Sequence, residues 1–431
     1  MSRNKVQLPG LLTLSPIIVF LVVYLVSSLL AGDFYKVPVS SAFLVASVYA
    51  VAITPGPISR RVNIFSESAG HWNIMLMVWI FMLAGAFAGS AKEIGSIEAT
   101  VNFTLSIVPA KALLAGLFLT ACFVSLAIGT SVGTIVALVP IAVGVADETG
   151  LNPAMMAALV VGGSFFGDNL SFISDTTIAA TRAVGCAMQD KFKANFMIVL
   201  PAVLVVTGIY IYRGLNISSV SNTDAIEWLK LIPYLSVIVL ALFGLDVTLV
   251  LVIGILLNAV VGFGTGSIDW YDLLGSIGSG IAGMGDLVIV TLLAGGMLGI
   301  IRHNGGLEYI IKGISRHVHG RRGAELGIGL LTALANLCTA NNTIAIITVG
   351  SIVNDISENF DIPKRRAASL MDIFSCFVQG IIPYGAQLLM AAGLTGLATT
   401  QIIPYLYYPF AVGICVLLSI LFRNNLKLSK K

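Results

Sequence analysis

The stretch that decides the fold reads SFFGDNLSFISDTT, residues 164–177. It sets two carboxylates, Asp168 and Asp175, into the middle of an apolar protein, together with Asn169 and the hydroxyls of Ser164, Ser171, Ser174, Thr176 and Thr177. Charged groups at membrane depth are costly and are kept for transport, proton relay or counter-ion duty. Carboxylates, hydroxyls and free carbonyls form a set of hard oxygen ligands, which suits a small hard cation or a proton.

Working outward, the chain of 431 residues is 57% hydrophobic and 10% charged, with a mean hydropathy of +0.96. Soluble domains carry roughly 25% charged residues. The apolar residues come in blocks about 15 to 20 long, the length a bilayer-spanning helix needs. The alternation of a transmembrane β-strand is missing. An all-α polytopic membrane protein is therefore expected, with the bilayer as its main partner. The apolar block at 11–30 is too long for a signal-peptide core and is followed at once by another span, so it reads as the first helix. A scattered net charge of +3 offers no nucleic-acid surface. Glycine runs such as GSIGSG (275–280) lack the strand-to-helix context and lysine of a phosphate loop, so no nucleotide is expected. Cys122, Cys186, Cys338, Cys376 and Cys415 show no ligand spacing, and His317 with His319 reads as a solvated basic loop. No cofactor and no transition metal are expected.

The chain repeats itself. LAGAFAGSAKEIGSIE (83–98) returns as LAGGMLGIIRHNGGLE (293–308), an offset of 210. Ser164, Phe166 and Asp168 return as Ser375, Phe377 and Gln379, and Thr130 and Thr134 of GTSVGT are matched with Thr339 and Thr343 of TANNT. The expected organisation is a tail and first helix (1–36), repeat 1 (37–213), a linker with a connecting helix (214–245), repeat 2 (246–422) and a basic tail (423–431). Crossings are expected near 11–30, 37–55, 74–91, 154–185, 194–212, 231–245, 246–266, 286–301, 367–398 and 403–422. The stretches 111–147 and 325–357 are expected as hairpins, full-length or re-entrant. With both termini inside, 19 Lys and Arg face the cytoplasm and 5 face out, and the two repeats have opposite orientation. Inverted repeats mark secondary transporters, whose sites lie where helices break at the midplane. Four breaks are expected, at 129–134, 167–175, 339–343 and 379–385, where Gly167, Gly380, Pro383 and Gly385 open the backbone.

At these residues the chain resembles the NhaC family of sodium/proton antiporters. GTSVGT is similar to that family's GTS-x-GT element, and GDNLSFISDTT resembles its GD-x-x-S-x-x-SDTT element. Phe172 stands where many relatives have proline, and TANNT is less typical of the family. The resemblance implies exchange of Na⁺ or Li⁺ for H⁺ across a bacterial inner membrane, in a dimer with a scaffold domain and a moving transport domain. Relatives also include malate/lactate exchangers and amino-acid carriers.

Asp168 and Asp175 are the expected cation and proton carriers, with helix capping as the competing reading. Na⁺ is expected at Asp168, Asp175 and Thr130. Asp372 lies in an apolar span with nothing near in sequence to neutralise it, which suits a group that trades a proton for Na⁺. Thr130, Ser131 and Thr134, with Asn341, Asn342 and Thr343, offer neutral oxygens at the hairpin tips, and Asn169, Ser171, Ser174, Thr176 and Ser375 add to them. Gln379, at the repeat position of Asp168, is expected to orient rather than bind charge. Asp246 and Asp286 read as helix caps, and Arg182 as an interfacial side chain. A coupled carrier of a small organic anion or amino acid is the rival, and the lack of an arginine in the expected core weighs against it. Ring-type channel filters do not fit broken helices with paired acids, and no catalytic residue set for an enzyme is present.

Overall fold

The computed structural model describes residues 10–31, 38–172, 174–215, 217, 226–315 and 320–422. The basic tail, His317 and His319 lie outside them. The first half runs α1 (Ser15–Ala31), α2 (Val39–Ile53), α3 (Ile58–Ala69), α4 (Trp72–Glu93), α5 (Ser96–Ile107), α6 (Leu113–Ile128), α7 (Ser131–Thr149), α8 (Pro153–Leu170), α9 (Asp175–Val184) and α10 (Met188–Gly214). The second half runs α11 (Trp228–Leu242), α12 (Val247–Thr265), α13 (Trp270–Gly283), α14 (Gly285–His303), α15 (Gly306–Ser315), α16 (Gly320–Thr339), α17 (Asn342–Asn359), α18 (Lys364–Ile381), α19 (Ala386–Thr395), α20 (Thr399–Ile402) and α21 (Tyr407–Leu421).

Among the described residues eight helical stretches are long and apolar enough to cross a membrane, or nine if the bent pair ending in α21 is one span. These include α6 and α7 separately, so the first hairpin is long enough for two full crossings. Helices α2 and α11 and the described start of α1 are apolar but shorter. The amphipathic helix α3 and the helices α5, α13 and α15 occupy stretches for which no crossing is expected, and α13 joins α14 in one long apolar stretch.

All four expected breaks are present. They fall between α6 and α7, α8 and α9, α16 and α17, and α18 and α19. The backbone repeats at these points with an offset of 211. Gly129 and Ala340 both adopt left-handed backbone, at φ 75° and 50°. Thr130 and Asn341, the residues that follow, are both extended, at φ/ψ −138°/124° and −148°/117°. Thr130 therefore matches Asn341, not Thr339. The similarity of GTSVGT to TANNT is two residues out of register because it pairs threonines where backbone conformation is what recurs. Alanine in the left-handed region costs about 1 kcal/mol or more. The Ala340 carbonyl is held there by the Gln379 amide, whose Nε2 donates to it at 3.1 Å.

Hydrogen bonds recur in the same register. Ser125 Oγ donates to the Ser164 carbonyl, and Asn336 Nδ2 donates to the Ser375 carbonyl. Helix pairing is likewise unchanged when the halves are exchanged. α4 packs on α12 and α13 as α14 packs on α2 and α3, and α9 packs on α17 as α19 packs on α7. Small residues make this interlock possible. A Cβ on Gly85 of α4 would collide with the Gly280 carbonyl of α13, and a Cβ on Gly280 with the Gly85 carbonyl. Close backbone approach of this kind replaces the hydrophobic drive that helices lack inside a bilayer.

Candidate functional site

The four breaks meet in the interior. Asp168, in the last turn of α8, is 5% exposed, and its Oδ1 accepts the backbone N–H of Ser131 at the start of α7 at 3.2 Å. The α7 N-terminus is thus turned on the carboxylate, a favourable end of a helix dipole for negative charge. No Lys, Arg or His forms an ion pair with Asp168 among the described residues. Its own carbonyl accepts the hydroxyls of Ser174 at 2.9 Å and Thr176 at 3.0 Å, so an end of α8 that lacks an intrahelical partner is satisfied across the break. Ser174 also caps α9 by accepting the Thr177 N–H. Ser171 is buried beside them at the end of α8.

Asp175 departs from expectation. It occupies the first position of α9 with its side chain exposed, and the cap is Ser174. The two acids therefore do not share one buried Na⁺ pocket. At the start of α9 the backbone turns this side chain outward, where an acid still gains from the helix N-terminus. Arg182 is exposed in the last turn of α9 and reaches neither acid.

Asp372 on α18 is fully buried, and it has a partner that sequence proximity could not reveal. Lys191 of α10 is 1% exposed and places Nζ 2.9 Å from Asp372 Oδ2. Its other donors reach the Asn169 carbonyl at 2.9 Å and Thr177 Oγ1 at 2.6 Å. Three N–H groups thus meet three acceptors. Asn195, one turn along α10, donates Nδ2 to Asp372 Oδ2 at 2.6 Å and to the Asn169 carbonyl at 2.7 Å. Lys191 reads in sequence as one of the cytoplasmic loop cations and is instead a core residue. Asp372 is a paired charge, unlike Asp168.

The second half meets Asp168 through amides. Gln379 Nε2 donates to Gln387 Oε1 at 3.0 Å, and Gln387 Nε2 donates to Ser131 Oγ at 2.9 Å. A chain of buried polar groups, Gln379–Gln387–Ser131–Asp168, thereby joins the two halves. Gln387 sits at the repeat position of Thr176, so the repeat register would have found it. For Lys191 and Asn195 the available signal was their four-residue spacing at the start of an apolar span, which puts both on one helix face.

The remaining candidates are placed as follows. Asn169 donates to the Phe165 carbonyl and to Tyr408 Oη, both at 3.0 Å. Thr134 donates back to the Thr130 carbonyl and Ser375 to the Asp372 carbonyl, which are local helix bonds. Asn341 caps α17 by accepting the Ile344 N–H, Asn342 is buried with its Oδ1 accepting the Thr343 N–H, and Thr130 and Thr343 are half-buried at the tips. Asp246 caps α12 as expected; Asp286 lies within the first turn of α14 without capping it.

Buried carboxylate, broken helices and exchange-symmetric halves define a secondary transporter. A model described as the Na⁺/H⁺ antiporter family matches residues 6–215 and again 216–423, and the chain belongs to that family. It is 23% identical to a malate-2H⁺/Na⁺-lactate antiporter of Bacillus subtilis, over 96% of this chain and 95% of the other. It is 21% identical to the Na⁺/H⁺ antiporter NhaC of Alkalihalophilus pseudofirmus, over 77% of this chain and 79% of the other. Among solved structures the YdaH transporter of Alcanivorax borkumensis aligns at 15% identity with a TM-score of 0.42, covering 89% of this chain and 97% of that one.

Proposed function

We propose that the protein exchanges Na⁺ or Li⁺ for H⁺ by alternating access, with Asp168 as the group for which the two ions compete. The observation that carries this reading is the contrast between the two buried acids. Asp372 is neutralised by Lys191, whereas Asp168 has one backbone donor and no cationic partner among the described residues. A buried carboxylate without a counter-charge needs a proton or a cation, and exchanging one for the other couples their movements without ATP. Ser174 and Thr176, whose hydroxyl protons point at the Asp168 carbonyl, keep oxygen lone pairs for the ion.

Each half contributes five crossings around a returning hairpin. An odd number turns the second copy over, in line with the excess of Lys and Arg in alternate loops. We place repeat 1 at 37–213 and repeat 2 at 246–422, both termini in the cytoplasm of a bacterial inner membrane, and two copies in the working assembly. The test is transport in proteoliposomes with a trapped pH dye. NaCl, LiCl, KCl and malate are added in turn against an imposed proton gradient, for wild type and Asp168→Asn. A Na⁺- or Li⁺-driven pH change lost in the variant supports the reading, and a response to malate with Na⁺ alone silent overturns it.

A further inference from the structure

One face of α14 carries Thr291, Ala294, Gly295, Leu298 and Arg302, and all of them line a narrow cavity of about 30 Å³. From Thr291 to Arg302 the helix rises roughly 16 Å at about 1.5 Å per residue, so the cavity is a thin slot with room for about two waters. Its opposite wall includes the break between α16 and α17, through Thr339, Ala340 and Asn341. Broken backbone at membrane depth is tolerated where it lines a cavity. Ala340 ties the slot to the cation site, because its carbonyl accepts the Gln379 amide, from which Gln387 and Ser131 lead to Asp168. Arg302 stands at the other end, in the last turn of α14, and also lines a wider recess of about 480 Å³ that it shares with Arg60, Glu67 and His303. It is the side chain common to slot and recess.

Among the described residues no Lys, Asp or Glu lines the slot, and Arg302 is its one arginine. Its buried Nε has no hydrogen-bond partner there, and no acid, Glu67 included, forms an ion pair with it. The repeat counterpart, Lys92, is exposed in the last turn of α4, so the inward arginine is not simply copied with the fold. An uncompensated guanidinium stays charged, and it repels a cation through low-dielectric protein far more strongly than through water. We infer that the slot is the closed access path between the recess and Asp168, and that the charge of Arg302 seals it against cations, as a fixed arginine does in a selective pore. The inference rests on the exchange reading above, in which this end of α14 faces the cytoplasm. While the opposite side is open, this slot is what separates a bound Na⁺ from the recess, so loss of the charge lets the ion run through without exchange for H⁺.

The test is uptake of radiolabelled Na⁺ by proteoliposomes of the full-length chain under an inside-negative potential set with K⁺ and valinomycin, with no pH gradient and the pH dye read in the same vesicles. Arg302→Met, similar in length and uncharged, is expected to admit Na⁺ about ten-fold or more faster than wild type without a matching pH change, whereas Arg302→Lys stays sealed. Removing an unpaired buried charge does not threaten folding, and Arg302→Gln supplies a second uncharged variant. Uptake no faster than wild type in both uncharged variants, or Arg302→Lys as leaky as Arg302→Met, would overturn the inference. A pH dye that stays silent when Na⁺ is added to wild type overturns the exchange reading instead, while the uptake comparison still judges the seal.

Discussion

Lys191 Nζ and Asp372 Oδ2 lie 2.9 Å apart, both side chains within 1% of complete burial, joining the first turn of α10 to the middle of α18. Two charges removed from water need partners, which Thr177 and Asn169 supply to the Lys191 ammonium and Asn195 to Asp372 Oδ2. Truncating one member leaves the other charge uncompensated. Lys191→Met is expected to cost about 3–5 kcal/mol, and the double variant Lys191→Met with Asp372→Leu to recover most of that loss. Thermal unfolding in detergent measures it, and a double variant no more stable than the single would show that the unpaired charge is not what destabilises Lys191→Met.

Asp168 and Asp175 belong to one motif but to different environments. Asp168→Asn keeps an oxygen that accepts the Ser131 N–H and removes only the ionisable group, so the variant should fold and fail to exchange. Asp175→Asn, with its exposed side chain, should keep most of the Na⁺-driven proton flux. Equal loss of flux in the two variants would restore the paired-acid site.

Gln387 bridges Gln379 and Ser131. Gln387→Leu breaks the amide chain between the halves and leaves Ser131 unsupported beside Asp168. Removing a buried hydrogen bond of about 1 kcal/mol should slow Na⁺-driven exchange several-fold without abolishing it, read as the initial dye rate at saturating Na⁺. An unchanged rate would make Gln387 a packing residue only.

Gly85 and Gly280 let α4 and α13 touch backbone to backbone. Gly85→Val forces the helices apart and should destabilise the protein by about 1–3 kcal/mol, whereas Gly278→Ala, which meets open space, should be neutral apart from helix propensity. Comparing the two melting temperatures checks this, and similar values would sink the close-approach argument.

Cys186 lies in the turn between α9 and α10, partly exposed, and burial together with the nearby Asp190 holds its thiol above the ordinary value of 9.0. The thiolate is the reactive form, so a raised pKa means less of it at neutral pH. Labelling by a membrane-impermeant maleimide should be slow at pH 7 and accelerate through pH 9 and beyond. It should occur in inside-out vesicles and not in right-side-out ones, with Cys186→Ser as control. The opposite sidedness would reverse the topology proposed above.

The membrane class, most of the spans, the repeat and all four breaks were legible in the chain, because each follows from local rules. Apolar run length sets a span, glycine and proline open a backbone, and a copied unit copies its hydrophobic pattern. Ser131, Asp168 and Gln379 were placed beside these breaks for the same reason. What tertiary structure alone decided is which charge is neutralised and which is not. Lys191 reads locally as a loop cation and Arg302 as another, yet one is buried against Asp372 and the other faces a cavity between the halves. Asp175 reads as the twin of Asp168, yet the turn into α9 faces it outward. Charge compensation in a low-dielectric interior acts between groups distant in sequence, and its outcome is set by how the two halves interlock.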